Sequence, residues 1–427
     1  MKSPRNSKIA TLMVHTSPLD QAGVGDAGGM NVYVVETAKK MAQAGVSVDI
    51  FTRANKPNLP ETVEIADGVN VKHLVAGPFE GLSKEELPSQ LGALTSAFMN
   101  HQKQLPGNYY SLLHSHYWIS GQLGWMVSEA TSIPLIHTMH TTAKVKNLNL
   151  ALGEKPEPQT RAIGEEQVVK AATGLIANTD AEAASLVSLY DACPDRVFVV
   201  APGVDLQSFS PADGKASARK RLNIAPDAIM LTFVGRVQPH KGPDVLLKAA
   251  AEMVVHSPHL RAKLAVVIIG GASGSVNELE KIKSLAKFLK IEDVTHFIEP
   301  VSRQVLPDWY RASDLVCVPS YSESFGLVAL EAQACGTPVV ATAIGGLRTA
   351  VSDGISGSLV DGHDPKAWSA VISRLITEPQ RRLLLGMNAV EHASHFGWEA
   401  TARKTLDVYD WALSKKANSK LRLAGDA

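Results

Sequence analysis

Three loops of this chain carry residue types suited to a phosphorylated sugar. The first is Gly235-Arg236-Val237-Gln238-Pro239-His240-Lys241-Gly242. Its spacing is not that of a Walker loop. Arg236 and Lys241 nevertheless lie five residues apart in a turn-rich segment, and both can reach one diphosphate. Paired cations of this kind neutralise a leaving group that gains negative charge. The second loop is Ser322-Glu323-Ser324-Phe325-Gly326-Leu327-Val328-Ala329-Leu330-Glu331. Glu323 precedes a predicted helix and Glu331 lies within it, eight residues on. That is a little over two turns, so both carboxylates can face one end of a bound nucleotide sugar. Carboxylates accept from the hydroxyl donors of ribose and hexose. Phe325 and Gly326 would offer main-chain N–H groups at the helix start.

The third loop runs from His15 through Gly23, Gly25, Gly28, Gly29 and Met30 to Asn31. It contains Gly23-x-Gly25-x-x-Gly28, formally a dinucleotide fingerprint, with Asp49 about twenty residues beyond. The fingerprint should follow its strand directly, whereas seven residues intervene here, and Asp49 falls inside the next predicted strand. What remains is a glycine-rich entry to a helix, whose N–H groups and dipole suit a diphosphate. Histidines cluster at His114, His116, His137 and His140, with no carboxylate or cysteine at metal-ligand spacing. His140, ending a predicted strand, suits sugar hydroxyls better than a metal. Lys84, Tyr117, Thr141 and Arg161 are candidates for a second anion, separate from the diphosphate.

The elements that must position these loops alternate between short apolar runs and helical patterns. Ile9–His15, Val46–Phe51, Tyr110–His114, Leu135–His137 and Gly174–Ala177 read as strands, and Met30–Ala44 reads as a helix stopped by Gly45. The series restarts with strands at Met230–Val234, Leu264–Ile269, His296–Ile298, Leu315–Val318 and Pro338–Ala341, and with a helix at Pro243–Val254. The expected fold class is α/β: two Rossmann-like, doubly wound domains facing a central cleft, with ligands at the carboxyl ends of the strands. The expected boundaries are 1–203 for the first domain and 204–398 for the second. A last amphipathic helix, 399–415, would pack back on the first domain, followed by a frayed tail at 416–427.

Bulk properties narrow the function. The 427 residues carry 42 Lys plus Arg against 42 Asp plus Glu, and 45% are apolar. A balance near zero argues against nucleic acid or an anionic membrane as the main partner. Cys193, Cys317 and Cys335 fit neither a zinc site nor a disulfide framework. The polar start resembles no signal peptide, and no apolar run reaches about 18 residues. The expected location is the cytoplasm. The expected partners are small-molecule substrates, with no membrane and no redox cofactor, and the expected assembly is a homodimer.

Taken together, the Arg236…Lys241 loop and Glu323-x7-Glu331 resemble the retaining family-4 glycosyltransferases of the GT-B fold. The first half narrows the resemblance. His15-Thr16-Ser17-Pro18, Gly25-Asp26-x-Gly28-Gly29-Met30-Asn31-Val32-Tyr33, Gly81-Leu82-Ser83-Lys84-Glu85-Glu86, His114-Ser115-His116-Tyr117-Trp118 and His137-Thr138-Met139-His140-Thr141 are similar to one branch of that family. Its members join N-acetylglucosamine from UDP-N-acetylglucosamine to 1D-myo-inositol 3-phosphate, at the start of mycothiol biosynthesis. The resemblance runs from about Ile9 to Ala412. It implies a donor site at Gln21, Ala22, Gly29, Arg236, Lys241, Val301, Glu323, Phe325, Gly326 and Glu331, with Glu323 at the hexose and Glu331 at the ribose. It implies an inositol phosphate site at His15, Asp26, Ala27, Gly28, Gly29, Met30, Asn31, Lys84, Tyr117, Thr141 and Arg161. The chemistry would fall to Arg236, Lys241, Glu323 and His140. Relatives are also assigned a Mg2+ at the positions of Tyr310, Arg311, Ser313 and Thr337; these are poor ligand types for that ion, so a structural, main-chain site is the expectation. The chain departs from its relatives at Leu148-Asn149-Leu150-Ala151-Leu152, which leaves open the shape of the loop before Arg161. Sibling activities, sucrose-phosphate synthesis or mannosyl transfer to phosphatidylinositol, are the nearest alternatives; the second calls for a basic amphipathic helix that the first half does not display. A non-catalytic sugar-nucleotide binder is a remoter one, against which the intact Arg236, Lys241, Glu323 and Glu331 speak.

Overall fold

The computed structural model describes residues 7–21, 23, 25–271 and 277–425. Two sheets organise it. The first holds β1 (Lys8–Leu12), β2 (Ser47–Arg53), β3 (Thr62–Ala66), β4 (Val69–Leu74), β5 (Leu112–His116), β6 (Leu135–Thr138), β7 (Gly174–Ala177) and β8 (Val197–Val199). Their order is β3-β4-β2-β1-β5-β6-β7-β8. The second holds β9 (Ile229–Val234), β10 (Leu264–Ile269), β11 (Thr295–Ile298), β12 (Leu315–Val318), β13 (Val339–Thr342) and β14 (Gly357–Val360), in the order β11-β10-β9-β12-β13-β14. Every pairing in the second sheet is parallel. In the first, only β3 runs antiparallel, against β4. Parallel strands need helical crossovers that cover both faces, so their residues read as continuous apolar runs; β1 and β6 are buried almost throughout.

The β3–β4 hairpin is an addition to the sequence reading. Thr62–Ala66 alternates polar and apolar residues, none of them fully buried, so it lacks the apolar run by which the buried strands are recognised. The last helix, Trp398–Gly425, also runs past the expected end at 415. Lys415, Lys416, Lys420 and Leu421 are good helix formers, with no proline and no glycine before Gly425 to stop them.

That last helix belongs to the first sheet's core. Trp398, Ala402, Val408, Tyr409 and Ala412 pack with Ile9, Tyr33, Val34, Met41, Ile50 and Leu112, and the Tyr409 hydroxyl lies 2.6 Å from His114 Nδ1. The chain therefore passes between the two sheets twice, at 200–204 and at 397–398. The passages touch: Val204 bridges to Gly397, and a Cβ on Gly203 would lie 2.6 Å from the Trp398 nitrogen.

Candidate functional site

The carboxyl-end loops of both sheets meet around one cavity of about 390 Å3. From the first sheet come Asp26, Gly28, Gly29 and Met30 after β1, Tyr117 after β5, and His140 and Thr141 after β6, with Lys84 and Arg161 from the connections. From the second come Arg236 and Lys241 after β9, Val301 after β11, and Glu323, Phe325, Gly326 and Glu331 after β12. Six cations (Lys84, Lys146, Arg161, Arg236, Lys241 and Arg303) face three carboxylates (Asp26, Glu323 and Glu331). The cleft thus favours anions.

On the side of the cleft reached by Arg236, the Gly29–Gln43 helix begins at the cavity. Asn31 does not face the ligand space. It is buried and builds the loop: its Oδ1 accepts the Gly28 N–H at 2.9 Å, and its Nδ2 donates to the Ser17 carbonyl at 2.7 Å. The Gly28 amide is thereby spent, Asn31 and Val32 donate to the Gly28 carbonyl, and the helix dipole with the N–H groups of Gly29 and Met30 is what remains for an anion. Arg236 crosses from the other sheet to this point. It lies 3.9 Å from Asp26 and within van der Waals reach of a Cβ built on Gly28. Burial lowers its basicity, while Asp26 and Glu323 work the other way. Lys241 Nζ pairs with Glu323 Oε2 at 2.6 Å.

The Glu323 loop is held from behind by Gly345 and Gly346. The Gly346 N–H donates to the Glu323 carbonyl at 2.9 Å, and a Cβ on Gly346 would stand 2.2 Å from the Ser324 carbonyl oxygen. Only glycine fits that approach. The Phe325 ring is buried against Phe396, so what it can offer a ligand is its main chain. Gly326, at φ +101, turns the chain into the Leu327–Ala334 helix, which a side chain would resist. Glu331 on that helix is 7% exposed. It accepts from the Tyr310 hydroxyl at 2.9 Å and faces Arg303 at 3.5 Å. Burial raises its carboxyl above the ordinary value, against the pull of Arg303 and Tyr310.

In the other half, Tyr117 is the centre. It takes φ +70, a conformation that costs a non-glycine residue about 1–3 kcal/mol and is found at ligand sites. Its ring carries Lys84 Nζ at 4.6 Å and Arg161 at 5.0 Å, with the His15 ring 4.3 Å away. Arg161 is buried. It binds Glu165 through Nε at 2.8 Å, Glu157 through Nη1 at 2.8 Å and the Thr141 carbonyl through Nη2 at 3.2 Å. Burial disfavours its charge, but Tyr117, Glu165 and Glu157 outweigh that and raise its basicity.

Burial favours the neutral form of the histidines clustered at the cleft. Burial takes His137 and His140 down to about 3, and His15 well down, helped by Lys84, His140, Arg161 and Arg236. His140 Nε2 lies 2.8 Å from His116 Nδ1, and the His140 carbonyl accepts from Ser324 Oγ across the cleft. No group of three or more His, Cys, Asp or Glu able to hold a metal occurs among the described residues.

Several expected residues stand outside the cavity lining. His15 supports Tyr117 from beneath, and Ala27 is buried. Gln21 spans the cleft mouth, its Nε2 donating to the Pro300 carbonyl at 3.4 Å. Ala22 lies outside the described residues. Tyr310, Arg311, Ser313 and Thr337 sit behind the Glu331 helix and do not fit a Mg2+. They bring no carboxylate, and the Tyr310 carbonyl already accepts from Thr337 Oγ1 at 2.6 Å and from the Ser313 N–H at 3.1 Å. The Arg311 guanidinium is committed to Ser210, Ser208 and Asp308. Conversely, the cavity includes Tyr33, Asn178, His240 and Arg303, absent from the expected set. Arg303 stands two residues after Val301, in a loop placed at the cleft by the β11 strand end, and that position was its available signal.

Comparison with known proteins agrees with this architecture. Residues 28–203 match the glycosyl transferase 4-like domain, and residues 214–392 match glycosyl transferases group 1. The D-inositol 3-phosphate glycosyltransferase 2 of Catenulispora acidiphila is 56% identical over 94% of this chain and 94% of its own. The D-inositol 3-phosphate glycosyltransferase of Streptosporangium roseum is 53% identical over 96% and 94%. Among solved structures, sucrose-phosphate synthase from Thermosynechococcus elongatus matches with a TM-score of 0.88 and 31% identity, covering 96% of this chain and all (100%) of that one. Anabaena HepE in complex with UDP and glucose shares the fold, with a TM-score of 0.73 at 20% identity over 94% and 99%. With its two facing parallel-sheet domains and these full-length relatives, the chain belongs to the D-inositol 3-phosphate glycosyltransferase family of GT-B glycosyltransferases.

Proposed function

We propose that this glycosyltransferase moves N-acetylglucosamine from UDP-N-acetylglucosamine to 1D-myo-inositol 3-phosphate with retention of anomeric configuration, the first step of mycothiol biosynthesis. The observation that carries the reading is the presence of two separate cationic stations in one cavity. Arg236 stands beside the helix N-terminus, with Lys241 on the same loop and also lining the cavity, and Lys84 and Arg161 lie at the Tyr117 ring. Two phosphorylated substrates require two such stations. The named relatives support the inositol phosphate acceptor, and the motif resemblance supports the donor sugar.

In this reading Glu331 holds the ribose, Glu323 the hexose and the Val301 main chain the base. The acceptor hydroxyl attacks the anomeric carbon from the face that UDP leaves. The carbon–oxygen bond to the β-phosphate breaks, and the hydroxyl proton passes to the departing phosphate oxygen. Arg236, Lys241 and the helix N-terminus stabilise the charge that develops there. Glu323 is tied to Lys241, which suits a hydroxyl-binding role better than that of a nucleophile. His140, neutral and backed by His116, hydrogen-bonds the sugar. Closure of the two domains excludes water that would hydrolyse the donor.

The test is incubation with UDP-N-acetylglucosamine or UDP-glucose and a panel of inositol and hexose phosphates. Mass spectrometry reads the product, and NMR reads its anomeric configuration. Preference for a hexose phosphate acceptor would move the assignment to a sucrose-phosphate synthase-like activity, which the solved structure at 31% identity makes the nearest rival. An inverted product would refute the same-face mechanism.

A further inference from the structure

One loop, residues 149–158, touches both ends of the cleft. It joins the helices Ala143–Leu148 and Gln159–Ala171. At one end Glu157 Oε2 pairs with Arg161 Nη1 at 2.8 Å, and Arg161 lies over Tyr117. Glu157 is fixed further by Lys146 and by its own N–H, which donates to Asn147 Oδ1 at 2.7 Å. At the other end Glu154 Oε1 crosses the cleft to His240 Nδ1 at 3.2 Å. Both partners are largely withdrawn from water, at 14% and 16% side-chain exposure. Glu154 is braced by the Ala151 N–H at 3.2 Å. His240 precedes Lys241, and its carbonyl accepts the Tyr321 N–H at 2.8 Å, on the loop that ends in Glu323.

We infer that Glu154 and His240 are positioning residues that couple the two substrate sites. An acceptor phosphate seated beside Arg161 steadies the 149–158 loop through Glu157. The loop then presents Glu154 to His240, and this contact holds the Lys241 loop where the donor diphosphate binds. The inference rests on the acceptor reading above. By linkage, acceptor and UDP must then strengthen each other's binding, and loss of the contact must weaken that mutual effect more than either binding alone.

The experiment is calorimetric titration of UDP with and without saturating 1D-myo-inositol 3-phosphate. It compares the wild type with Glu154→Ala, Glu154→Gln, His240→Ala and the double alanine variant. The wild type should bind UDP about 10-fold tighter when the inositol phosphate is present. Glu154→Ala should cut that enhancement by about 5-fold, the scale of one partly buried polar pair, while its affinity for UDP alone stays within about twofold of wild type. Glu154→Gln keeps the side-chain shape and should lose less, which separates loss of the contact from misfolding. The double variant should lose no more coupling than either single one, because the two residues act through each other. Equal enhancement in wild type and Glu154→Ala, or none in a wild type that binds both ligands, overturns the coupling and leaves the acceptor reading standing. A wild type that binds no inositol phosphate overturns the acceptor reading and the coupling together.

Discussion

Replacing Glu331 by glutamine tests the donor site at its most buried polar group. The carboxylate has two neighbours in the protein, the Tyr310 hydroxyl at 2.9 Å and Arg303 at 3.5 Å. In the proposed complex the ribose hydroxyls donate to it as well. A hydrogen bond to a charged group contributes about 1.5–3 kcal/mol and one between neutral groups about 0.5–1.5 kcal/mol. The substitution keeps the shape and an acceptor oxygen but removes the charge. UDP affinity should therefore fall by roughly 5–10-fold. Folding should respond in the opposite direction. The Glu331 carboxyl is raised by burial, so the cost of burying its charge is felt above the raised value and vanishes below the ordinary one. Glutamine escapes that cost, and the variant should melt no lower than wild type at pH 7.5. A pH signature follows from the same shift. Ribose donors stabilise the ionised form, so UDP binding to wild type weakens as pH falls through the raised value. Glu331→Gln should lack that component. Calorimetry with UDP at pH 7.5 and 5.5, wild type against variant, reads the two binding effects, and thermal melting at pH 7.5 reads the third. Equal UDP affinity at pH 7.5 would refute the ribose role.

Three further outcomes are expected. Lys241→Ala should lower turnover by about 100-fold or more, the scale of one lost charge-stabilising donor at about 2–4 kcal/mol; steady-state kinetics on folded protein with unchanged turnover would count against it. Lys84→Ala should raise the inositol phosphate KM by about 10–100-fold while leaving UDP binding alone, and free myo-inositol should be a far poorer acceptor for wild type. Comparable efficiency on free inositol would remove the second anion site. Gly346→Ala forces a Cβ to 2.2 Å from the Ser324 carbonyl oxygen; it should destabilise by about 1–3 kcal/mol and depress transfer by shifting the Glu323 loop, and thermal melting with the same midpoint as wild type would contradict it.

The repeating strand-and-helix pattern was readable because buried parallel strands are apolar on both faces and so stand out from their surroundings. The placement of Arg236, Lys241 and Glu323 at the cleft was readable because each stands in the loop after such a strand, and that of Glu331 because it lies eight residues on from Glu323, in the helix that follows. Less was legible where meaning depends on distant neighbours. Asn31 sits in the motif but props up the Gly28 turn, and His15 supports Tyr117 from outside the cavity lining; motif membership does not separate a ligand from a prop. The sequence does not show what holds Arg161: Glu157 and Glu165, four residues to either side, fix it in ion pairs over the Tyr117 ring. The β3 edge strand packs only Val63, Ile65 and Ala66 on the core, each partly buried, so no continuous apolar run marks it. The contact between Glu154 and His240 joins residues 86 positions apart, across two domains, in a loop whose composition shows no regular period.

The return of the last helix to the first sheet has a consequence for how the protein is made. Trp398, Ala402, Val408, Tyr409 and Ala412 complete a core whose other fully buried members lie before residue 201. At about 5–20 residues per second, the ribosome needs roughly 10–40 s to travel from one to the other. Through that interval the nascent first domain shows an apolar face awaiting its cover, while the second domain already has every strand it needs by Val360. A fragment ending near residue 203 should therefore need the separate segment 398–416, supplied as a peptide, to become a stable fold.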